Sequence, residues 1–276
     1  MPKSTLTGQY IPARKHLSQN FLVDPHAQKR IVTACRFEPE DVVLEIGPGT
    51  GALTRLIIPQ IKKLYAIEKD ARLCAELKSG IAEFPSQHVE LINADFLKYD
   101  LAELPAGMKV IGNLPYHIST PIIERLIEFR HHFTDLFLTV QLEFGKRLAA
   151  VSGTKDYGSL TCFVQYFAQT RALFKISPNC FRPIPAVSSC LIHLKFREPE
   201  NPVRDESLLF SLIQKAFQQR RKKITNAFSA FLKEKSISPA TMADILNRLK
   251  LSVHLRPENL TIKNYIDICN LLSGKL

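Results

Sequence analysis

No stretch of this 276-residue chain approaches the ~18 consecutive apolar residues that a membrane-spanning helix needs, so a membrane protein is not expected. The first residues, MPKSTLTGQYIPARKHLSQNF, lack the apolar core of a secretory signal and hold too little arginine for an organelle transit peptide. A cytoplasmic location follows as an expectation. No two of the six cysteines (35, 74, 162, 180, 190 and 269) form a C-x-x-C pair, which counts against a metal site or a disulfide framework. Buried thiols in a reducing compartment are the simpler expectation, with no metal. The sequence also lacks internal repeats and low-complexity segments, so solenoid and disordered architectures drop out.

What is present is a globular composition, 45% hydrophobic, enough for one large domain or a large plus a small one. The formal net charge is +11, and residues 201–276 hold 13 Lys/Arg against 6 Asp/Glu, so most of the excess lies there. A basic chain of this kind suits a polyanion, nucleic acid before membrane, although a solvated basic surface has the same composition.

The first 200 residues alternate short apolar runs with helical patterns. Strands are expected at 41–46, 62–67, 89–93, 108–111 and 136–141, with helices at 52–58, 71–79 and 121–129. Ser119 is placed to cap the last of these helices, with Pro121 in its first turn. Such alternation predicts an α/β fold, a Rossmann-like and mostly parallel sheet. Segments 171–177 and 187–196, joined by a proline-rich loop, predict an antiparallel pair at one edge. Arg197-Glu198-Pro199-Glu200-Asn201-Pro202 is polar and proline-broken, which puts a domain boundary at 200/201. Beyond it only helical spacing remains, at 208–217, 224–232, 241–249 and 262–272, a small all-helical C-terminal domain.

The loop Gly47-Pro48-Gly49-Thr50-Gly51 closes the first strand and opens the first helix. Glycine there permits positive φ and close approach of a ligand to the backbone. The spacing is one residue shorter than the dinucleotide fingerprint, which removes NAD. Glu68 ends the second strand, where a carboxylate can accept from both ribose hydroxyls. Asp95 and Phe96 follow the third, where they suit an adenine amino group and an adenine face. A capping Asp95 and a surface Glu68 are the plain alternatives. Three successive strand ends with fitting groups favour a cofactor site, and S-adenosylmethionine fits this shortened loop.

Asn113-Leu114-Pro115-Tyr116 follows the fourth strand, on the functional edge of such a sheet. An exocyclic adenine nitrogen is a poor nucleophile because its lone pair is delocalised. The Asn113 side-chain oxygen and a backbone carbonyl near Leu114 can accept its two N–H groups and turn the lone pair outward. Pro115 keeps the turn extended, and Tyr116 offers a ring for stacking. Alignment and a dry pocket supply the advantage, and no general base is assigned.

With these pieces on the page, the chain resembles the ribosomal RNA adenine N6,N6-dimethyltransferases, the KsgA family, over nearly its whole length. The resemblance is carried by Gln19-Asn20-Phe21-Leu22, by residues 45–51, by Asn113 to Tyr116 and by Phe181-Arg182-Pro183-Ile184-Pro185-Ala186-Val187. In the C-terminal part it is carried by residues 216–223 and by Arg256-Pro257-Glu258-Asn259-Leu260. It implies a methyltransferase domain over 1–200, with 1–22 a flexible lid, and an RNA-binding domain over 201–276. It implies that Asn20, Leu22, Gly47, Glu68, Asp95 and Asn113 line the S-adenosylmethionine site, beside Gly49, Gly51 and Phe96. Phe181 is expected on the face of the target base opposite Tyr116. The implied substrate is a pair of adjacent adenines near the 3′ end of 16S rRNA, each methylated twice, in an immature 30S subunit. A monomer is the default expectation.

Lys215, Arg220, Arg221, Lys222 and Lys223 are the candidate phosphate contacts, on a helix that packs by Phe217 and Ile224. Arg14 and Lys15 can add to them. Leu17, Ser18 and His117 depart from the family pattern, as do Ile184 and Ala186, which puts RNA contacts in question more than chemistry. Two rivals stay open: an Erm-type large-subunit rRNA methylase and a non-catalytic ribosome-assembly factor. A DNA adenine methylase usually carries Asp where Asn113 stands.

Overall fold

A computed structural model describes residues 12–14, 17, 19–85, 88–199 and 201–274. Lys15, named above as an RNA contact, and most of the expected lid (residues 1–11, 15, 16 and 18) lie outside the described residues.

The chain divides into two compact units, one of residues 1–145 with 171–196 and one of residues 146–170 with 197–276. The first unit is built on a seven-stranded sheet of order β4-β3-β2-β5-β6-β9-β7. The strands of that sheet are β2 (Val42–Ile46), β3 (Lys63–Glu68), β4 (Val89–Asn93), β5 (Met108–Asn113), β6 (Phe133–Gln141), β7 (Ala168–Ile176, of which Arg171 onward belongs to this unit) and β9 (Ser189–Phe196). Strands β2 to β6 pair in parallel, and β9 runs antiparallel to β6. The expected α/β sheet, mostly parallel with an antiparallel strand toward one edge, is therefore what the chain forms.

The strands form where apolar runs bury on both faces: Leu44, Ile46, Leu64, Ile67, Val110 and Leu138 are all at or near zero exposure. Helices α1 (Pro25–Cys35), α2 (Thr54–Ile57), α3 (Ala71–Gly80) and α4 (Ser119–Glu128) separate them. Asp24 caps α1 by accepting from Ala27 N at 2.7 Å, and Asp70 caps α3. Ser119 does not cap α4. It is already helical, and its hydroxyl donates to the Pro115 carbonyl at 3.2 Å, bracing the turn rather than the helix.

Phe21 and Leu22, expected in a flexible lid, form strand β1, which pairs antiparallel with β8 (Phe181–Arg182), Leu22 opposite Phe181. The second unit holds α6 (Ser159–Phe167), α7 (Glu206–Gln218), α8 (Ile224–Ala227), α9 (Ser229–Glu234), α10 (Pro239–Arg248) and α11 (Ile262–Ser273). Helix α5 (Leu142–Leu148) runs from the first unit into it. All four stretches expected beyond residue 200 are helical, with 224–232 divided into α8 and α9 at Phe228, but residues 146–170 join them, contrary to a boundary at 200/201. The cause is aromatic packing: Phe163, Tyr166 and Phe167 surround Phe210, with ring centroids 5.0 to 5.8 Å apart.

Candidate functional site

Strand order reverses between β2 and β5, and the carboxyl ends of the strands open there into a cavity of about 190 Å³. A crevice at this switch point is the expected ligand position in an open α/β sheet. Asn20, Gly47, Gly49, Glu68, Asp95, Phe96, Asn113, Leu114, Pro115 and Tyr116 all line it. Four separate strand ends thus bring their groups to one cleft.

The glycine loop is shaped by backbone conformation. Gly47 and Gly49 have φ of +64° and +60°, where an L side chain is strained. A Cβ on Gly49 would also lie 3.4 Å from the Phe21 ring, so β1 closes against the loop. Gly51, also at positive φ, donates its N–H to the Pro48 carbonyl at 2.9 Å and does not line the cavity. Leu22 is absent from that cavity too. It lines a second, smaller one beneath the loop with Gly47, Gly49 and Asn113.

Glu68 is 6% exposed, and each of its oxygens accepts a backbone N–H, from Gly49 at 3.0 Å and from Asp70 at 2.8 Å. Burial pushes its carboxyl above the usual range, while these two N–H groups pull it back. Asp95 accepts from Leu97 N at 3.1 Å and pairs with Lys69 at 2.8 Å. Burial works to raise its carboxyl, but Lys69 and Leu97 N–H together hold it below the ordinary value. A buried carboxylate fixed at the end of β3, a second carboxylate at Asp95, and a ring at Phe96 are acceptors and a face that fit a nucleoside-bearing cofactor.

At the end of β5 the Asn113 side chain donates from Nδ2 to the Asn20 carbonyl at 2.9 Å. Leu114 N–H donates to the Thr139 carbonyl, and the Pro115 carbonyl is taken by Ile118 N–H at 3.1 Å and by Ser119. The Tyr116 hydroxyl hydrogen-bonds Ser189 Oγ at 2.6 Å, and burial raises its phenol above the ordinary value. His117 lines the same cavity from an exposed position.

Phe181 departs from its expected place. Its ring is fully buried in the hydrophobic core opposite Leu22 and does not line the cavity, because pairing of β8 with β1 turns it inward. Among the described residues, Gln19, Phe21 and Lys69 also line the cavity, beyond the site residues that the sequence pattern marks. Gln19 and Phe21 flank Asn20 in the same motif, which was the available signal.

Within the basic segment Lys215 lies in α7, whereas Arg220 to Lys223 form a turn rather than a helix face. Helix α7 ends at Gln218 and α8 begins at Ile224. Arg221, Lys222 and Lys223 are exposed. Arg220 instead pairs with Glu258 and donates to the Thr154 carbonyl at 3.1 Å, while Lys215 pairs with Glu234 at 2.9 Å. Arg14 donates its backbone N–H to Gln19 Oε1 and lies 3.8 Å from Asp70. None of the six cysteines is in a disulfide; four are buried, and Cys74 and Cys180 are half-buried rather than fully enclosed. Among the described residues no helix is long and apolar enough to cross a membrane, and no cluster of His, Cys, Asp and Glu could hold a metal.

A family model described as ribosomal RNA adenine dimethylase matches residues 11–270. The protein named ribosomal RNA small subunit methyltransferase A from Alkaliphilus metalliredigens is 40% identical over 268 residues, which covers 95% of this chain and 92% of that protein. The crystal structure of a dimethyladenosine transferase from Plasmodium falciparum superposes with a TM-score of 0.80 at 25% identity, over 92% of this chain and 98% of that one. The 23S rRNA methyltransferase ErmE shares the fold, with a TM-score of 0.73 at 23% identity over 92% of this chain and 99% of its own.

Proposed function

The chain belongs to the ribosomal RNA adenine dimethylase family, and from that premise we propose that it dimethylates N6 of two adjacent adenines near the 3′ end of 16S rRNA. The methyl donor is S-adenosylmethionine, the substrate is rRNA within an immature 30S subunit, and the enzyme works as a cytoplasmic monomer. The relative at 40% identity, which bears a small-subunit name, favours this over a large-subunit methylase or a non-catalytic assembly factor.

S-adenosylmethionine supplies an electrophilic methyl carbon on a sulfonium for in-line displacement. Glu68, held by two backbone N–H groups, keeps lone pairs for the ribose hydroxyls. Asp95 and Phe96 take the adenine amino group and face, with Asn20, Leu22, Gly47, Gly49 and Gly51 shaping the remainder.

One observation carries the reading. The Asn113 amide spends its N–H on the Asn20 carbonyl, so its Oδ1 is left to accept from the target base. The Pro115 carbonyl is already engaged, which leaves the Leu114 carbonyl as the second acceptor of the turn. In the first transfer the two acceptors hold both N6 hydrogens, and in the second one of them holds the hydrogen that remains, so the lone pair faces the methyl group each time. Tyr116, held by Ser189, supplies the stacking face. Arg221, Lys222 and Lys223 contact phosphate.

The test is methylation of unmodified small subunits by the purified protein, followed by mapping of the modified adenines. Dimethylated adjacent adenines near the 16S 3′ end are expected. Modification confined to large-subunit RNA, or RNA binding without methyl incorporation, overturns the proposal.

A further inference from the structure

Consecutive residues of the N-terminal segment grip opposite sides of the cleft. Asn20 holds the Asn113 amide through its carbonyl. Gln19 lines the cavity beside it, and its side chain is used at both ends: Oε1 accepts Arg14 N–H at 2.8 Å, and Nε2 donates to Asp70 Oδ2 at 3.2 Å. Asp70 has a side chain with no exposure, is bound by Arg72 through Nε at 3.1 Å and Nη2 at 2.7 Å, and donates its own N–H to Glu68. The segment therefore has its own anchor on the ribose side of the site, separate from the β1–β8 pairing that follows it.

Asn20 directly follows Gln19, so a fixed Gln19 leaves only the few backbone dihedrals between them to place the Asn20 carbonyl. Among the described residues, no other hydrogen bond to the Asn113 amide comes from the N-terminal side. We propose that Gln19 is a positioning residue: its side chain latches the N-terminal segment to Asp70, and the latch sets the Asn20 carbonyl that orients Asn113. The bond is to a buried carboxylate, which makes it stronger and more directional than one to a neutral acceptor. Gln19 acts on the orientation of Asn113, so its loss is felt in the chemical step rather than in RNA binding. This inference rests on the proposed methyl transfer for its activity readout.

The test compares Gln19→Leu, which keeps the volume and removes both polar atoms, with Asp70→Ser, which keeps a helix cap and cannot reach Gln19. Each is expected to lower kcat about tenfold, the size of one hydrogen bond to a charged group. Affinity for S-adenosylhomocysteine by calorimetry should change by less than about threefold, which places the loss in orientation. The double variant should lose no more than the worse single, because both break the same contact. Wild-type kcat in Gln19→Leu, a loss carried wholly by the RNA KM, or additive losses in the double variant overturns the latch. Should Gln19→Leu not fold, Gln19→Asn, too short to span the same two partners, is expected to show the same kcat loss.

Inactivity of the wild-type protein on small subunits is a failure of the functional proposal and is separable. Amide exchange at Phe21 to Val23 then reads the latch directly, about tenfold faster in Gln19→Leu. Unchanged exchange rejects it.

Discussion

The Asn113 side chain reaches across 93 residues of sequence to donate to the backbone carbonyl of Asn20. That one bond decides which end of the amide faces the cleft. An aspartate at 113 would keep an acceptor but would set an oxygen against the Asn20 carbonyl.

Asn113→Ala and Asn113→Asp are both expected to lower kcat by about 10²–10³, the usual cost of losing a group that orients the transition state. RNA affinity should stay within about threefold, because uniform binding is not what is removed. Single-turnover rates with filter binding read both numbers. Near-native turnover in the aspartate variant would show that the amide orientation does not matter.

Glu68→Gln places an amide NH₂ against either the Gly49 or the Asp70 N–H. An unpaired donor in a buried site should weaken S-adenosylhomocysteine binding about tenfold or more. In the wild type, burial raises the Glu68 carboxyl. Protonation removes an acceptor, so affinity should fall on acidification, starting above the ordinary glutamate range. Calorimetry over pH should show this fall in the wild type and a flat profile in the variant.

Glu45 is 2% exposed, accepts from Thr54 Oγ1 at 2.8 Å, and is pushed by burial up to about 8 from 4.5. Between those values the folded chain keeps a proton that the unfolded chain has released. Stability is therefore fully present below about 4.5 and lost as pH rises toward 8. Glu45→Gln keeps the Thr54 contact and removes the titration. It should melt above the wild type at pH 8, by a few kcal/mol at most, on the order of one pKa unit per 1.4 kcal/mol. The gap should close near pH 4.5. A gap independent of pH would mean Glu45 is ionised in the fold.

Gly145 sits in α5 against β9. A Cβ there would overlap Cys190 Sγ and come within 3.0 Å of Ile192 Cγ2, both in a fixed strand. Gly145→Ala should cost about 1–3 kcal/mol by overpacking. In a Cys190→Ala background the same change should cost less, as denaturant midpoints can measure.

Charge reversal at Arg221, Lys222 and Lys223 should weaken RNA binding and flatten its salt dependence. Arg220→Ala should do something else, lowering thermal stability by loosening Glu258 and the Thr154 loop. Equal effects of the two changes on RNA binding would return Arg220 to the phosphate-contact set.

The parallel sheet, the glycine loop and the strand-end positions of Glu68, Asp95 and Asn113 are legible in the sequence. Each depends on local matters: apolar runs of strand length, glycines where φ is positive, and polar residues where those runs stop. The same signals place the helices of the C-terminal unit. The positions of Phe181, Arg220 and residues 146–170 are not legible in the sequence, because they depend on partners far along the chain. An exposed or buried ring, a free or paired guanidinium and a helix claimed by one core or another look alike in a local pattern.

The sequence by itself therefore determined the sheet, its functional edge and the kinds of group gathered there, because backbone periodicity is a short-range property. Only the tertiary structure decided how those groups are aimed: the Asn20 carbonyl on Asn113, Gln19 on Asp70, Ser189 on Tyr116. These contacts join segments 51 to 93 residues apart, and hydrogen-bond direction between such segments exists only after the chain has closed on itself.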